Sequence, residues 1–117
     1  MKKALLVDDS KLMRRMMRNL LTKNGFEVVG EADNGKIGVE LYKKLRPDFV
    51  TMDLVMDEMN GLEALSRIIG FDPDAKVIMV SSMGQDVIIR DAIVLGASNF
   101  LLKPFNEKQV IDALAKL

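Results

Sequence analysis

The stretch VTMDLVMDEMNG, residues 50–61, passes from an apolar run into an acidic loop and then into a helix-start signal. The run FVTM (49–52) stops at Asp53; Asp57 and Glu58 follow, and then the turn-forming pair Asn60-Gly61. A short, nearly continuous apolar run suits a strand covered on both faces, and Asn-Gly ahead of a new apolar periodicity marks the next helix. Strand, acidic loop, helix is the unit from which the rest of the chain is read.

The unit repeats. ALLV (4–7), VIMV (77–80) and FLL (100–102) are further apolar runs, each ending at polar or turn-forming residues. FEVVGEA (26–32) is mixed, with Glu27, Gly30 and Glu31 interleaved, as expected of a partly exposed edge strand. Between the runs lie helical periods. In SKLMRRMMRNLLTKNG (10–25), Leu12, Met13, Met16, Met17, Leu20 and Leu21 form an apolar stripe, and Arg14, Arg15 and Arg18 read as a solvated face. Ser10 is the expected N-cap and Gly25 the stop. Further helices are predicted near 36–45, 62–69, 86–95 and 107–117. Five strand–helix units imply an α/β domain with a parallel sheet, right-handed crossovers and helices on both faces, and periodicity leaves the strand order open.

The chain has 117 residues, half of them hydrophobic, so one domain with its own core is expected. Seventeen basic and seventeen acidic residues cancel, which leaves no electrostatic footprint for nucleic acid or an anionic membrane. Cysteine and histidine are both absent, removing thiolate chemistry, histidine bases and the usual zinc ligands. The first apolar run is too short for a signal or membrane segment, so a cytoplasmic location is expected.

Ligands of open α/β sheets bind beyond the carboxyl ends of the strands. Asp8, Asp9 and Ser10 follow the first strand, Asp53 the third, Ser81 and Ser82 the fourth, and Lys103 the fifth. If those strands are neighbours, three carboxylates, a hydroxyl and an ammonium share one rim. Clustered carboxylates take up either a proton or a cation, and a hard divalent ion such as Mg²⁺ suits an all-oxygen donor set. A glycine-rich phosphate cradle does not fit, because Asp8-Asp9-Ser10 would repel an anion without an intervening cation.

LLVDDS, VTMDLVMDEMNG, MVSSMGQ and FLLKPF, in order and at matching spacing along the whole chain, resemble the signatures of two-component receiver domains, nearest to the chemotaxis CheY-like class. The resemblance implies a single receiver domain over 1–117, with the flavodoxin-like (βα)5 sandwich and a sheet of order 2-1-3-4-5. It implies that Asp53 accepts a phosphoryl group from the phosphohistidine of a sensor histidine kinase or from a small phosphodonor. Asp8, Asp9, Asp53 and the Val55 carbonyl would serve Mg²⁺, with Asp8 acting directly or through bound water. Lys103 would contact a phosphoryl oxygen, Ser81 would move to bond that group, and Phe100 would be the aromatic switch residue. Pro104 matches a proline whose preceding peptide bond is often cis, and Gly61 the structural glycine of the loop. Phe100 lacks the phenolic hydroxyl common at its position, so an output relying on that hydrogen bond is not available.

A phosphoacceptor switch is therefore expected rather than a turnover enzyme: it gains and loses its own phosphoryl group, and thereby changes its affinity for an effector such as a flagellar motor switch protein. A phosphatase is a further expected partner, and the state a monomer or a weak dimer through helix 4, strand 5 and helix 5. A receiver cut from a longer regulator, an unphosphorylated receiver-like adaptor and a small phosphatase or phosphotransferase are the rival readings. Asp57 departs from the family, which commonly has proline there; solvent exposure is expected for it and for Glu58. Val55 and Met83 are apolar where the family tunes phosphoryl lifetime, so slow self-hydrolysis is expected. The fourth helix, DVIIRDAIVLGA (86–97), has more apolar positions than one buried stripe requires, leaving either deep burial or an exposed partner face.

Overall fold

A computed structural model describes all residues from Met1 to Leu117. Five strands, β1 (Lys3–Val7), β2 (Glu27–Ala32), β3 (Phe49–Asp53), β4 (Val77–Ser81) and β5 (Asn99–Leu102), alternate with five helices, α1 (Lys11–Lys23), α2 (Gly35–Leu45), α3 (Gly61–Phe71), α4 (Asp86–Val94) and α5 (Glu107–Ala115). All pairings are parallel and the order is β2-β1-β3-β4-β5, so the flavodoxin-like arrangement is the observed one. β2 lies at an edge, as its interleaved acids imply.

Successive side chains of a strand point to opposite faces, and the core divides accordingly. Leu5, Val7, Val50, Met52, Val77 and Met79 pack with Val39, Tyr42, Ala64, Leu65, Ile68 and Ala92 of α2, α3 and α4. Ala4, Leu6, Phe49, Ile78 and Val80 face the other way, onto Met17, Leu21, Val110, Ala113 and Leu114 of α1 and α5. Every residue of β3 and β4 is buried, which is why those segments read as continuous apolar runs.

Capping aims the helices. Ser10 Oγ accepts the Met13 N–H at 3.2 Å, as predicted, while Asn34, Asn60 and Asn106 cap α2, α3 and α5. Gly25 takes φ +87°, the left-handed conformation that a stop position needs.

Two expectations are corrected. The apolar stripe of α1 is narrower than its composition implies: Met17 and Leu21 are buried, but Leu12 and Met16 are exposed. Adjacent residues lie about 100° apart around a helix, so one member of each apolar pair turns from the sheet. α4 and α5 end at Val94 and Ala115, short of the expected 95 and 117. Of the two readings open for α4, the exposed face is the observed one: Ala92 is its one buried residue, while Val87 and Val94 stay 56% and 77% exposed.

Candidate functional site

Four strand ends meet at one rim because β1, β3, β4 and β5 are consecutive in the sheet. Val7 pairs with Met52, Asp53 with Val80 and Ser81 with Leu102, so Asp8, Asp53, Ser81 and Lys103 stand at the same level, just where the strands stop.

The acids come together as the strand-end comparison predicts. Carboxylate oxygens of Asp8, Asp9 and Asp53 all lie within 4.8 Å of one another. Asp8 and Asp53 are nearly enclosed, at 9% and 8% exposure, while Asp9 faces solvent. Asp57 and Glu58 stay outside this set and are exposed, so the three acids of the 50–61 stretch do not act as a group. Glu58 takes φ +66°, a left-handed conformation that turns the loop toward α3.

Lys103 joins the acids. Its Nζ lies 3.2 Å from Asp8 Oδ2 and 3.4 Å from Asp53 Oδ1, and its backbone N–H donates to the Ser81 carbonyl at 2.9 Å. The Lys103–Pro104 peptide bond is cis. Asp53 Oδ1 also accepts the Leu54 N–H at 2.9 Å. Burial pushes the Asp53 carboxyl above the usual carboxylate range, with the Asp8 charge adding to it, against the pull of Lys103 and the Leu54 N–H. One ammonium thus faces three carboxylates. With only oxygen donors available, the cluster suits a hard divalent cation in its charge and its ligand chemistry.

Gly61 earns its place sterically. Its N–H donates to the Leu54 carbonyl at 2.7 Å, and a Cβ added there would collide with the Asp53 carbonyl. The loop therefore folds back directly beneath the Asp53 backbone. The Val55 side chain is exposed. Phe100 is half-buried against the core on the β5 edge.

One reading changes, that of Arg14. Ser81 is buried and its Oγ accepts the Met83 N–H at 3.0 Å, so the hydroxyl oxygen is engaged with its own loop. Its proton remains free to be donated elsewhere. Arg14, read from sequence as part of a solvated face, is half-buried: its Nε donates to Glu31 Oε1 at 3.0 Å and its Nη1 to the Asp8 carbonyl at 2.6 Å. Helical period places Arg14 on the polar side of α1, and nothing in the sequence pairs it with Glu31 on an edge strand. An arginine one turn into a helix that begins just after the acids was the one available signal.

Residues 4–115 match the family described as response regulator receiver domain. The chain is 49% identical to chemotaxis protein CheY of Thermotoga maritima over 116 residues, covering 99% of this chain and 97% of that protein. It is 50% identical to chemotaxis protein CheY of Bacillus subtilis over 112 residues, covering 96% and 93%. Among solved structures, a chain of the CheX–CheY–BeF3–Mg²⁺ complex from Borrelia burgdorferi superposes with a TM-score of 0.95 at 33% identity, covering 97% of this chain and 86% of that one.

Proposed function

The chain belongs to the response regulator receiver domain family of two-component signalling, and from that premise we propose that it is a phosphoacceptor switch working through Asp53. The observation that carries the reading is the position of Lys103 Nζ, between Asp8 Oδ2 and Asp53 Oδ1, in a cluster assembled from separate strand ends.

A carboxylate oxygen of Asp53 attacks the phosphorus of a phosphohistidine on a sensor kinase, or of a small phosphodonor. The P–N bond breaks, its electron pair stays on the imidazole nitrogen, and an aspartyl phosphate forms. The chain supplies no histidine of its own, so the donor is external. Lys103 offsets charge on the phosphoryl oxygens and Ser81 donates its hydroxyl proton to one of them, both acting electrostatically. Asp8, Asp9, Asp53 and the Val55 carbonyl would hold Mg²⁺, whose chemistry here is to offset the repulsion between an anionic nucleophile and an anionic phosphoryl group. Hydrolysis restores the carboxylate: water attacks phosphorus, the bond to the Asp53 oxygen breaks and phosphate leaves. The apolar Val55 and Met83 side chains offer that water no hydrogen bond, which supports a long-lived adduct.

Phosphorylation shifts a two-state equilibrium through Ser81 and Phe100 and changes affinity for an effector. Relationship to CheY proteins supports chemotaxis, with a flagellar motor switch protein as the effector class. The exposed apolar side chains of α4, beside β5, support a contact face there. We place the protein in the cytoplasm as one receiver domain, on the same relationship.

Beryllofluoride forms with a carboxylate a tetrahedral adduct resembling an acyl phosphate. Bound ¹⁹F resonances that require Mg²⁺ and vanish in Asp53→Asn are the expected result. No bound resonance in the wild-type chain would favour an unphosphorylated adaptor.

A further inference from the structure

The side chain of Arg14 sits where helix electrostatics disfavours it. Helix N-termini carry partial positive charge, yet the first turn of α1 holds no acid and Arg14 follows directly on it. Its guanidinium is committed in two directions. Nε meets Glu31 of the edge strand at 3.0 Å, and Nη1 donates to the Asp8 carbonyl at 2.6 Å, a short, charge-assisted bond. Arg18 meets the same Glu31 through its other carboxylate oxygen, but touches nothing at the rim.

Asp8 is thereby held at every polar group. Its N–H donates to the Ala32 carbonyl, its carboxylate accepts Ser10 N–H and Lys103, and its carbonyl accepts Arg14. Asp9 is exposed, and its placement follows from the peptide plane that the Asp8 carbonyl shares with it.

We propose that Arg14 is a positioning residue: clamping the Asp8 carbonyl, with Glu31 as counter-ion, it sets the Asp8–Asp9 peptide plane and so the distance of the Asp9 carboxylate from Asp53. This rests on the reading of the acidic cluster as a divalent-cation site. Arg14 contributes geometry there, its charge being partly offset by Glu31, which it shares with Arg18.

The sign of one measurement separates the two possibilities. As a mere nearby cation, Arg14 would repel a metal, and Arg14→Ala would bind Mg²⁺ equally or more tightly. As a clamp, its loss weakens binding by ~10-fold, the scale for losing a group that orients a metal ligand. Arg18→Ala breaks the other half of the Glu31 pair without touching Asp8 and should change affinity by less than about twofold. Isothermal titration of each intact chain with Mg²⁺ reads affinity, and urea unfolding reads stability separately. Arg14→Lys keeps the charge and the helix but cannot span both acceptors; it is expected to bind several-fold more weakly, and serves if Arg14→Ala does not fold. Unchanged or tighter binding in the folded Arg14 variants overturns the clamp while leaving the site reading intact. Absence of Mg²⁺ binding by the wild-type chain overturns both.

Discussion

Asp53 is held in a compromise. Burial and the neighbouring Asp8 charge raise its carboxyl above the ordinary 3.8, so the folded chain binds a proton there more readily than the unfolded chain does. Stability therefore falls as pH rises from the ordinary value through the folded one, and at neutral pH the charged group is a standing cost. Asp53→Asn is expected to stabilise the metal-free protein at pH 7 by about 0.5–2 kcal/mol, the scale of relieving a functional-site compromise, with a smaller gain in acid. Urea unfolding at the two pH values checks it, and a destabilised variant at pH 7 would contradict the electrostatic account. Gly61 is constrained sterically instead. Because a Cβ would meet the Asp53 carbonyl, Gly61→Ala should cost about 1–3 kcal/mol in the same assay. The need for glycine after Asn60 was visible as a turn signal; the collision behind it depends on the loop folding back under Asp53, which no local pattern records.

Among the elements, the strands were the most legible. β3 and β4 are buried along their whole length, so apolar runs marked them to within a residue, and β2 revealed its edge position through Glu27 and Glu31. Helix faces were less legible, since Leu12 and Met16 extend the apolar composition of α1 without touching the core. At the β2 edge, burial opposes ionisation of Glu31, but its bonds with Arg18 and Arg14 prevail and hold it below the ordinary 4.5. A depressed carboxyl contributes stability that is complete above the unfolded value and lost as pH falls through the folded one. Glu31→Gln should therefore cost no more than about 1 kcal/mol at pH 7, since the pair is partly screened by solvent. The difference from the wild type should shrink below pH 4.5, as urea titration would show; a pH-independent difference would refute the ion-pair account. α4 makes a complementary prediction. Val94 is 77% exposed, so Val94→Lys should leave stability within about 0.5 kcal/mol, whereas a larger loss would mean that α4 packs more deeply than the structure shows.

In the molecule as a whole, assembly of the acidic rim depends on strand order. Periodicity established five strand–helix units but was silent on their neighbours; the resemblance to receiver domains implied the order 2-1-3-4-5, and the pairings bear it out. By keeping β1, β3, β4 and β5 consecutive, that order makes rim neighbours of Asp8, Asp53, Ser81 and Lys103, residues spread over most of the chain. Strand-end position thus made the acids and Lys103 legible. Arg14 was not, because its contacts to Asp8 and Glu31 exist only once α1 has docked against both β1 and β2. We infer that this rim serves phosphorylation of Asp53. Intact-mass analysis after incubation with acetyl phosphate is the most direct test: the expected result is a single phosphoryl adduct that requires Mg²⁺, is removed by hydroxylamine as an acyl phosphate must be, and is absent in Asp53→Asn. An adduct that persists in Asp53→Asn, or none in the wild-type chain with Mg²⁺ present, would contradict it.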